Sequence, residues 1–310
     1  MTLGLVLDPL FERHENPPGH PERPERLQAI ADALGESGLL EKCTPIEAEQ
    51  IARDSLLAVH DPKLIARHEA MHTAGGGTID ADTHMSPRSW PIALMAAGSA
   101  VRAAEAVADG EVTRAFVAAR PPGHHATCNQ AMGFCLINSV ALAARHLILT
   151  ERAKRILIVD FDVHHGNGTQ EIFDSDPAVI FISTHEEGNY PGTGFRSETG
   201  TGDGKGTTFN LSHPARTDPE RIVGELCETL GAVKSRFAPD FVFISAGFDG
   251  HRLDPLGGWS LTGEHFAAMT RAIVDVANAT AGGRVVSLLE GGYSLEGLAE
   301  GVVAHVEHLL

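Results

Sequence analysis

The amino-acid sequence predicts an α/β fold with a mostly parallel β-sheet that is covered by helices on both faces. Short apolar runs rich in β-branched residues recur along the 310-residue chain and are typical of buried strands. Longer segments of helical character separate them, and strands that alternate with helices favour parallel pairing. The chain contains no internal repeat, linker or sharp shift in composition. We therefore expect residues 1–310 to form a single domain.

The individual elements follow from local patterns. The predicted strands are GLVLD (4–8), AFVAA (115–119), ILIVDFD (156–162), AVIFIS (178–183), TFNLS (208–212), FVFISAG (241–247) and VVSLLE (285–290). Several helical segments open with a proline or a capping residue in the first turn. The clearest of them are 24–34, 87–109, 138–152, 219–237 and 262–280. Two stretches rich in Gly, Pro and His, 11–26 and 185–206, are predicted to be loops, which often line sites in compact enzymes.

Composition and charge argue against several classes of protein. The formal net charge of -17 disfavours nucleic-acid binding, because the phosphate backbone requires clustered cations. The chain does not open like a signal peptide, and no apolar run approaches the ~20 residues that a membrane span needs. Cys43, Cys128, Cys135 and Cys227 form no CxxC pair, so we expect free thiols. These features predict a cytoplasmic protein whose partners include neither membrane nor nucleic acid.

Four of the predicted strands run directly into polar segments. Because ligands bind at the carboxyl ends of strands in open parallel sheets, these segments should converge on one edge of the sheet. They would bring together at least three histidines, two or three carboxylates and a tyrosine. The segments are RPPGHH (120–125), DFDVHHGNG (160–168), FDGH (248–251) and GGY (291–293).

The second of these segments suggests a metal site. Asp162 and His164 are two residues apart, so an extended backbone points both side chains to one side, and Asp249 could add a third ligand. Three protein ligands with an open position describe a catalytic metal site. Oxygen and nitrogen ligands suit Zn²⁺, with Fe²⁺ or Co²⁺ as alternatives. Taken alone, the Asp-x-His tripeptide favours a capped strand end that carries surface histidines.

The first and the last of the four segments suggest acid–base chemistry. His124 and His125 follow Pro-Pro-Gly, which would present them on a stiffened turn. One of them can serve as general base toward a metal-bound water. Tyr293 follows two glycines and can therefore approach a ligand closely, although a buried core tyrosine is the alternative interpretation.

At these segments the sequence resembles the histone deacetylase family, which includes bacterial acetylpolyamine amidohydrolases. Asn167, where class I members usually carry Asp, and the DPLGG run are similar to class II members. The resemblance covers nearly the whole chain and implies an arginase/deacetylase-like α/β fold with an eight-stranded sheet. The matching stretches are HENPPGHPERPERL (14–27), RPPGHHA (120–126), MGFCLINSVALAA (132–144), VDFDVHHGNGTQ (159–170), YPGTG (190–194), SAGFDGHRLDPLGG (245–258) and LLEGGY (288–293).

The resemblance implies a role for each matching catalytic residue. His125 would be the general base and later the acid that protonates the leaving amine. His124 would be its electrostatic partner, oriented by Asp160, while Asn167 would contact His125. Tyr293 would donate a hydrogen bond to the scissile carbonyl. The implied zinc ligands are Asp162, His164 and Asp249.

The resemblance also implies residues that surround this centre. A narrow tunnel for the acyl-lysine stem would be lined by Gly133, Phe134, Tyr190 and Leu256. A structural K⁺ ion would be held by Asp160, Asp162, His164, Ser183 and Thr184, several through backbone oxygen. Arg26 matches a family arginine near an inner channel for acetate exit.

The activity implied is zinc-dependent hydrolysis of acetyl-lysine amides in peptides or proteins. Acetylated polyamines are the alternative substrates, but relatives that prefer them often place a glutamate near the tunnel mouth, where Leu256 stands here. A two-metal ureohydrolase would need an Asp at position 166, which is Gly166. A non-catalytic acyl-lysine-binding module would lack ligands or the tyrosine, and the chain retains them. Oligomers also occur among members of the family.

Overall fold

The computed structural model describes residues 2–310, and Met1 lies outside the described residues. Within that range a central sheet of eight strands has parallel pairing throughout. In spatial order its strands are β2 (Cys43–Pro45), β1 (Leu3–Val6), β5 (Arg114–Val117), β10 (Val285–Leu289), β9 (Phe241–Ala246), β6 (Ile156–Asp160), β7 (Val179–Glu186) and β8 (Thr208–His213). Two short strands, β3 (Gly77–Thr78) and β4 (His84–Met85), form a separate antiparallel pair.

Helices pack in two groups that cover the sheet. The helices are α1 (Glu25–Glu36), α2 (Pro62–Thr73), α3 (Ser89–Ala108), α4 (Ser139–Leu149), α5 (Asn167–Phe173), α6 (Pro219–Arg236), α7 (Gly263–Thr280) and α8 (Leu295–Leu309). One group is α3 against α4, and the other runs from α1 through α8 and α7 to α6. Short 3₁₀ turns lie at Pro9–Arg13, Leu40–Lys42, Arg53–Ala58 and Gly202–Gly204.

The predicted α/β class is confirmed, and each of the seven predicted strands is present in the sheet. The sheet is fully parallel rather than mostly parallel. Its eighth strand, β2, has no counterpart among the predicted runs, because it is three residues long, partly exposed and ends in a proline. The loop predicted at 185–206 starts two residues later in the structure, at residue 187, because β7 continues to Glu186. The predicted loop at 11–26 is framed by a 3₁₀ turn and the start of α1.

Helix starts follow the capping chemistry of the sequence. The Asp218 side chain accepts a hydrogen bond from the Glu220 backbone N–H, and Pro219 occupies the first turn of α6. Asn138 caps α4 in the same way. These local signals explain why the predicted starts of α4 and α6 agree with the structure within a residue.

Helix α3 corrects one expectation from the sequence. It has 20 residues and is apolar enough to cross a membrane, although no apolar run was expected to approach that length. Alanines dominate it, and Arg102 and Glu105 interrupt the run in the sequence. In the structure 67% of its most apolar 18-residue stretch is buried inside the protein, as in the core helix of a globular fold.

The order of the strands places the polar segments next to one another. Strands β5, β10, β9 and β6 are neighbours in the sheet and all run in the same direction. Their carboxyl ends therefore meet at one edge, and each leads into one of the four polar segments. Alternation of helices and strands predicts this edge, but only the observed strand order makes the four segments adjacent.

His305 is a buried core histidine whose protonation is coupled to folding. Its ring is fully buried and lies 5.6 Å from the Phe116 ring and 5.8 Å from the rings of Phe161 and Phe248. Because the Thr270 hydroxyl donates to a backbone carbonyl, it accepts from Nδ1–H of His305 at 2.7 Å. The neutral imidazole is thus satisfied, and desolvation lowers the pKa of His305 to about 3.

Stability should therefore fall as the medium is acidified. The unfolded histidine titrates near 6.5, so below that pH the unfolded state binds one proton more than the folded state. The free energy of unfolding should decrease by up to about 1.4 kcal/mol per pH unit from this residue alone. We expect His305→Gln to reduce that slope in urea unfolding between about pH 6.5 and 4.5. Equal slopes for the two proteins would contradict this account.

Candidate active site

Asp162, His164 and Asp249 converge at the carboxyl edge of the sheet. The His164 Nδ1 atom lies 3.0 Å from Asp162 Oδ1 and 3.0 Å from Asp249 Oδ2. One ligand atom from each of the three lies within 4.8 Å of the others, and all three residues are buried. The structure thus brings the three predicted metal ligands together.

Backbone hydrogen bonds hold the two carboxylates in place. Asp162 accepts from the His164 N–H through Oδ1 and from the Gly291 N–H through Oδ2. Asp249 accepts from the Val163 N–H through Oδ1. These bonds come from β6 and β10 segments, so the ligand geometry depends on how neighbouring strands are paired.

The donor set fits a divalent metal ion. Desolvation and the neighbouring charge of Asp162 raise the pKa of Asp249 to about 7. Desolvation opposes protonation of His164, yet the charges of Asp249 and Asp162 raise its pKa well above the ordinary value. Both shifts express a concentration of negative charge that a cation would neutralise. Two carboxylate oxygens and one imidazole nitrogen are ligands that suit zinc in a catalytic site.

Two glycines leave room for these carboxylates. A Cβ at Gly247 would overlap Asp162, and a Cβ at Gly291 would overlap Asp249 Oδ2 and lie 2.6 Å from Asp162 Oδ2. Either contact would displace a ligand oxygen. Close approach of backbone to the donor cluster therefore explains both glycines.

We expect Gly291→Ala to weaken metal binding at least about tenfold, because the added methyl group pushes both carboxylates aside. Metal content after dialysis against a buffered zinc concentration measures the effect. Gly231→Ala is the matched control, since nothing lies within 4 Å of a Cβ at that helical position. Equal metal retention by both variants would show that the backbone at Gly291 does not position the ligands.

The histidine pair lies beside the donor cluster. His125 Nδ1 lies 2.8 Å from Asn167 Oδ1, and an amide oxygen can only accept, so Nδ1 carries the proton and Nε2 is left as an acceptor. His124 Nδ1 lies 2.9 Å from Asp160 Oδ2, while its Nε2 lies 3.9 Å from Asp162 Oδ2. The predicted contacts of Asp160 and Asn167 with the two histidines are therefore present.

The two imidazoles differ in charge. Desolvation disfavours the cation of His124, but the charges of Asp160 and Asp162 prevail and raise its pKa to about 10. Desolvation, followed by the charge of His124, lowers the pKa of His125 well below its ordinary value. A neutral histidine beside a charged one separates the function of proton acceptor from that of electrostatic stabiliser.

Tyr293 lies between the donor cluster and the buried guanidinium of Arg26. Its backbone N–H donates to Asp254 Oδ2, its ring meets the Phe134 ring edge to face at 5.7 Å, and the Arg26 guanidinium covers it at 5.1 Å. Desolvation and the charge of Asp249 raise its pKa well above the ordinary value, so the phenol stays protonated. Among residues 2–310 no hydrogen bond reaches its hydroxyl, which keeps it available to a ligand.

Three of the four predicted tunnel residues lie against His125 or Tyr293. The Tyr190 ring lies 5.0 Å from the His125 ring, and Gly133 has a positive φ of 56° with no room for a Cβ between His125 and Tyr190. Phe134, also at positive φ, contacts Tyr293. Leu256 lies farther out and is tied to the Tyr190 loop through a hydrogen bond from Asn189 to its carbonyl.

The predicted K⁺ residues occupy adjoining strand ends. Asp160 of β6 is paired in register with Ser183 of β7, and both are fully buried, as is Thr184. The Ser183 hydroxyl contacts His185 Nδ1 at 2.9 Å, and Thr184 Oγ1 reaches the Leu211 carbonyl at 3.5 Å. A K⁺ ion at this position stays a prediction.

Sequence reasoning gave no role to Glu290, the last residue of the LLE run. Its carboxylate is buried and accepts from the backbone N–H groups of Gly123 and His124 at 2.7 and 3.1 Å. It therefore fixes the turn that presents the histidine pair. An acidic residue at the end of an otherwise apolar buried strand was the available signal.

A buried ion cluster on the inner side of the site was also missed. Glu22 pairs with Arg26 at 3.1 Å and with Arg120, and all three side chains have zero exposure. Arg26 further donates to the carbonyls of Glu290 and Gly292 at 2.5 and 2.6 Å, which places it directly behind Tyr293. The charged residues inside the proline-rich segment 14–27 were the signal for this cluster. The role of Arg26 in acetate exit stays a prediction.

Comparison with known proteins gives consistent relatives. A family model described as the histone deacetylase domain matches residues 20–309. A probable deacetylase from Archaeoglobus fulgidus is 42% identical over 299 residues, covering 96% of this chain and 83% of the relative. Histone deacetylase 15 from Arabidopsis thaliana is 39% identical over 99% of this chain and 55% of its own length. Human histone deacetylase 9 is 37% identical over 99% of this chain and 34% of its own length.

A solved structure shows the same architecture. The crystal structure of the HDA15 HD domain superposes with a TM-score of 0.93 at 36% sequence identity, covering 99% of this chain and 88% of that chain. The fold and its buried carboxylate–imidazole cluster therefore define an α/β protein of the deacetylase fold. The chain belongs to the histone deacetylase family, as the motifs predicted. Deacetylase relatives imply hydrolase activity, although the chain spans only about a third to a half of the human and plant relatives.

Proposed function

We propose that this protein is a zinc-dependent deacetylase that hydrolyses the amide of acetyl-lysine in peptides or proteins to free amine and acetate. One observation carries the proposal. A cluster of two carboxylates and an imidazole Nδ1 lies beside a neutral histidine and a protonated tyrosine, and all of these side chains are buried. This set matches the parts needed for metal-assisted amide hydrolysis, namely a Lewis acid, a base and an oxyanion donor.

Asp162, His164 and Asp249 would hold the ion, and zinc suits their oxygen and nitrogen donors, as would Fe²⁺ or Co²⁺. When bound, such an ion polarises the amide carbonyl and lowers the pKa of water. The protein contributes the fixed orientation of the ligands. The hydrogen bonds from Val163 and Gly291 prevent the carboxylates from rotating away.

Proton transfer falls to His125. With Nδ1–H donated to Asn167, the Nε2 lone pair can remove a proton from the attacking water and later deliver it to the leaving amine. His124, charged beside Asp160, would stabilise the negative charge that develops in the pocket. The Tyr293 hydroxyl would donate to the carbonyl oxygen as that oxygen gains charge.

The choice of acetyl-lysine rests on the walls of the pocket. Phe134 and Tyr190 flank the catalytic residues and offer apolar ring faces to an extended methylene stem. Leu256, rather than an acidic residue, adjoins the loop that carries Tyr190. An apolar entrance suits the uncharged acyl-lysine stem better than a chain with internal ammonium groups.

An acetylated polyamine is the second candidate, and a specific observation favours it. The carboxylates of Asp80 and Asp82 lie close enough to contribute to the raised pKa of Tyr190. Negative charge near the entrance would attract the free amines of a polyamine. The same charge would also attract a cationic peptide, so a direct comparison of substrates has to decide between them.

A substrate panel tests the proposed function. Zinc-loaded protein is assayed on an acetyl-lysine peptide, an acetylated polyamine and peptides with longer acyl-lysines, with and without chelator. We expect the highest kcat/KM on acetyl-lysine, loss of turnover with chelator and recovery with added zinc. A higher kcat/KM on the polyamine would favour the second candidate. Metal-loaded protein that hydrolyses no acyl-amide would refute the deacetylase proposal. A cytoplasmic location and a structural K⁺ ion remain part of this proposal.

A further inference from the structure

A second group of metal-ligating side chains adjoins the catalytic pocket. His124, Cys135 and Glu290 are all buried, and one ligand atom from each lies within 4.8 Å of the other two. They come from three separate segments: the turn after β5, the GFC segment before α4, and the end of β10. Sulfur, nitrogen and oxygen donors thus meet at a point that the catalytic cluster does not include.

The present partners of these side chains leave donor capacity unused. Both hydrogen bonds to the Glu290 carboxylate reach Oε2, and within residues 2–310 none reaches Oε1. The Cys135 thiol donates to the Gly133 carbonyl at 3.2 Å, and its sulfur faces the backbone N–H groups of His125 and Ala126. The Glu290 side chain is almost fully buried. A cation would therefore meet two groups whose negative forms burial disfavours.

The spacing is close to what a small divalent ion requires. Zinc binds sulfur at about 2.3 Å and nitrogen or oxygen at about 2.0–2.2 Å, so tetrahedral ligands lie roughly 3.4–3.6 Å apart. Donor atoms that lie up to 4.8 Å apart would have to approach one another by about 1 Å when the ion binds. A thiolate ligand favours soft or borderline cations over Mg²⁺ or Ca²⁺.

We propose that His124, Cys135 and Glu290 form a second, inhibitory site for a thiophilic divalent cation, such as Cd²⁺ or zinc in excess. The ion takes up the Cys135 sulfur as thiolate and replaces one N–H proton of the charged His124 imidazole, so the thiol proton and the imidazole proton are both released to solvent. His124 is the shared residue. An ion on its Nδ1 breaks the hydrogen bond to Asp160, and an ion on its Nε2 enters the catalytic pocket beside Asp162.

Inhibition follows from either arrangement, and this part of the inference rests on the proposed deacetylase function. Binding of an ion at the second site does not depend on that function. The catalytic cluster contains no sulfur, so absorption from thiolate-to-cadmium charge transfer reports on a cysteine and not on the catalytic ion, and the cysteine variants assign it to Cys135. Binding can therefore be measured whether or not an active substrate is known.

The experiment titrates zinc-loaded protein with Cd²⁺ while ultraviolet absorption and bound metal per chain are recorded. The variants are Cys135→Ser and Cys135→Ala, with the exposed Cys227→Ser as matched control. We expect one thiolate-bound Cd²⁺ per chain in the parent protein and in Cys227→Ser. Both Cys135 variants should lose that absorption and require at least about tenfold more Cd²⁺ for the same loss of deacetylation.

The outcomes separate cleanly. Unchanged charge-transfer absorption in folded Cys135→Ser, or its loss in Cys227→Ser, would overturn the second site. Circular dichroism establishes that each variant is folded, and two different replacements guard against one that misfolds. Cd²⁺ binding through Cys135 in a protein that hydrolyses no acyl-amide would uphold the site while refuting the proposed function.

Discussion

Replacing His125 with alanine is expected to lower kcat/KM for an acetyl-lysine substrate by about 10²–10⁴ fold, the usual contribution of a general base. The reason is geometric. The His125 Nδ1–H donates a hydrogen bond to Asn167 Oδ1, so Nε2 is the unprotonated acceptor, and alanine offers no replacement. The loss should appear in kcat, because His125 transfers protons in the chemical step and does not hold the metal. Steady-state kinetics on zinc-loaded protein measures it.

Two comparisons make the result specific. Zinc content should match that of the parent protein, since Asp162, His164 and Asp249 are untouched. His308→Ala, which removes an imidazole at the end of α8, should leave the kinetics unchanged. Full activity in the His125 variant would assign the base to another residue. Loss of zinc would instead mean that His125 supports the ligands.

Tyr293→Phe is expected to lower kcat by about 10²–10³ fold, as the removal of one oxyanion donor typically does. The variant deletes only the hydroxyl, and the ring contacts with Phe134 and Arg26 should persist. The fold and the bound metal should therefore be retained. Single-turnover rates with a saturating acetyl-lysine peptide isolate the chemical step from substrate binding.

Tyr190→Phe is the matched control, because Tyr190 and Tyr293 are the two tyrosines of the chain. Tyr190 lies in the wall of the pocket, so loss of its hydroxyl should alter KM more than kcat. Should the two variants lose kcat equally, the donor role assigned to Tyr293 would be wrong.

The sequence alone was sufficient for the fold class and for much of the candidate site. Buried strands have a strong apolar signature, and the polar residues that follow four of them mark one sheet edge. The two-residue spacing of Asp162 and His164 suggested that both bind the same metal ion, and the structure brings their ligand atoms close together. Residue roles and the count of eight strands depended on the family resemblance instead.

The remainder depends on tertiary packing, which local patterns do not encode. Strand β2 gains its place by pairing along β1 and not through apolar periodicity. Glu22 and Arg120 are 98 positions apart, and their burial becomes visible only when the proline-rich segment folds over the sheet. Glu290 looked like the polar end of a strand, whereas it supports the histidine turn.

The position of β10 has a consequence for how the chain is made. This strand comes from residues 285–289 but lies in the middle of the sheet, between β5 and β9. Until this segment has left the ribosome, the nascent chain can form only two half-sheets, and each has an unpaired edge where β10 will pair. Such edges attract other strands, so premature termination before residue 285 should yield chains that aggregate. Strand β10 therefore joins the two halves of the sheet, and the Gly291 N–H that holds Asp162 reaches the donor cluster only after that closure.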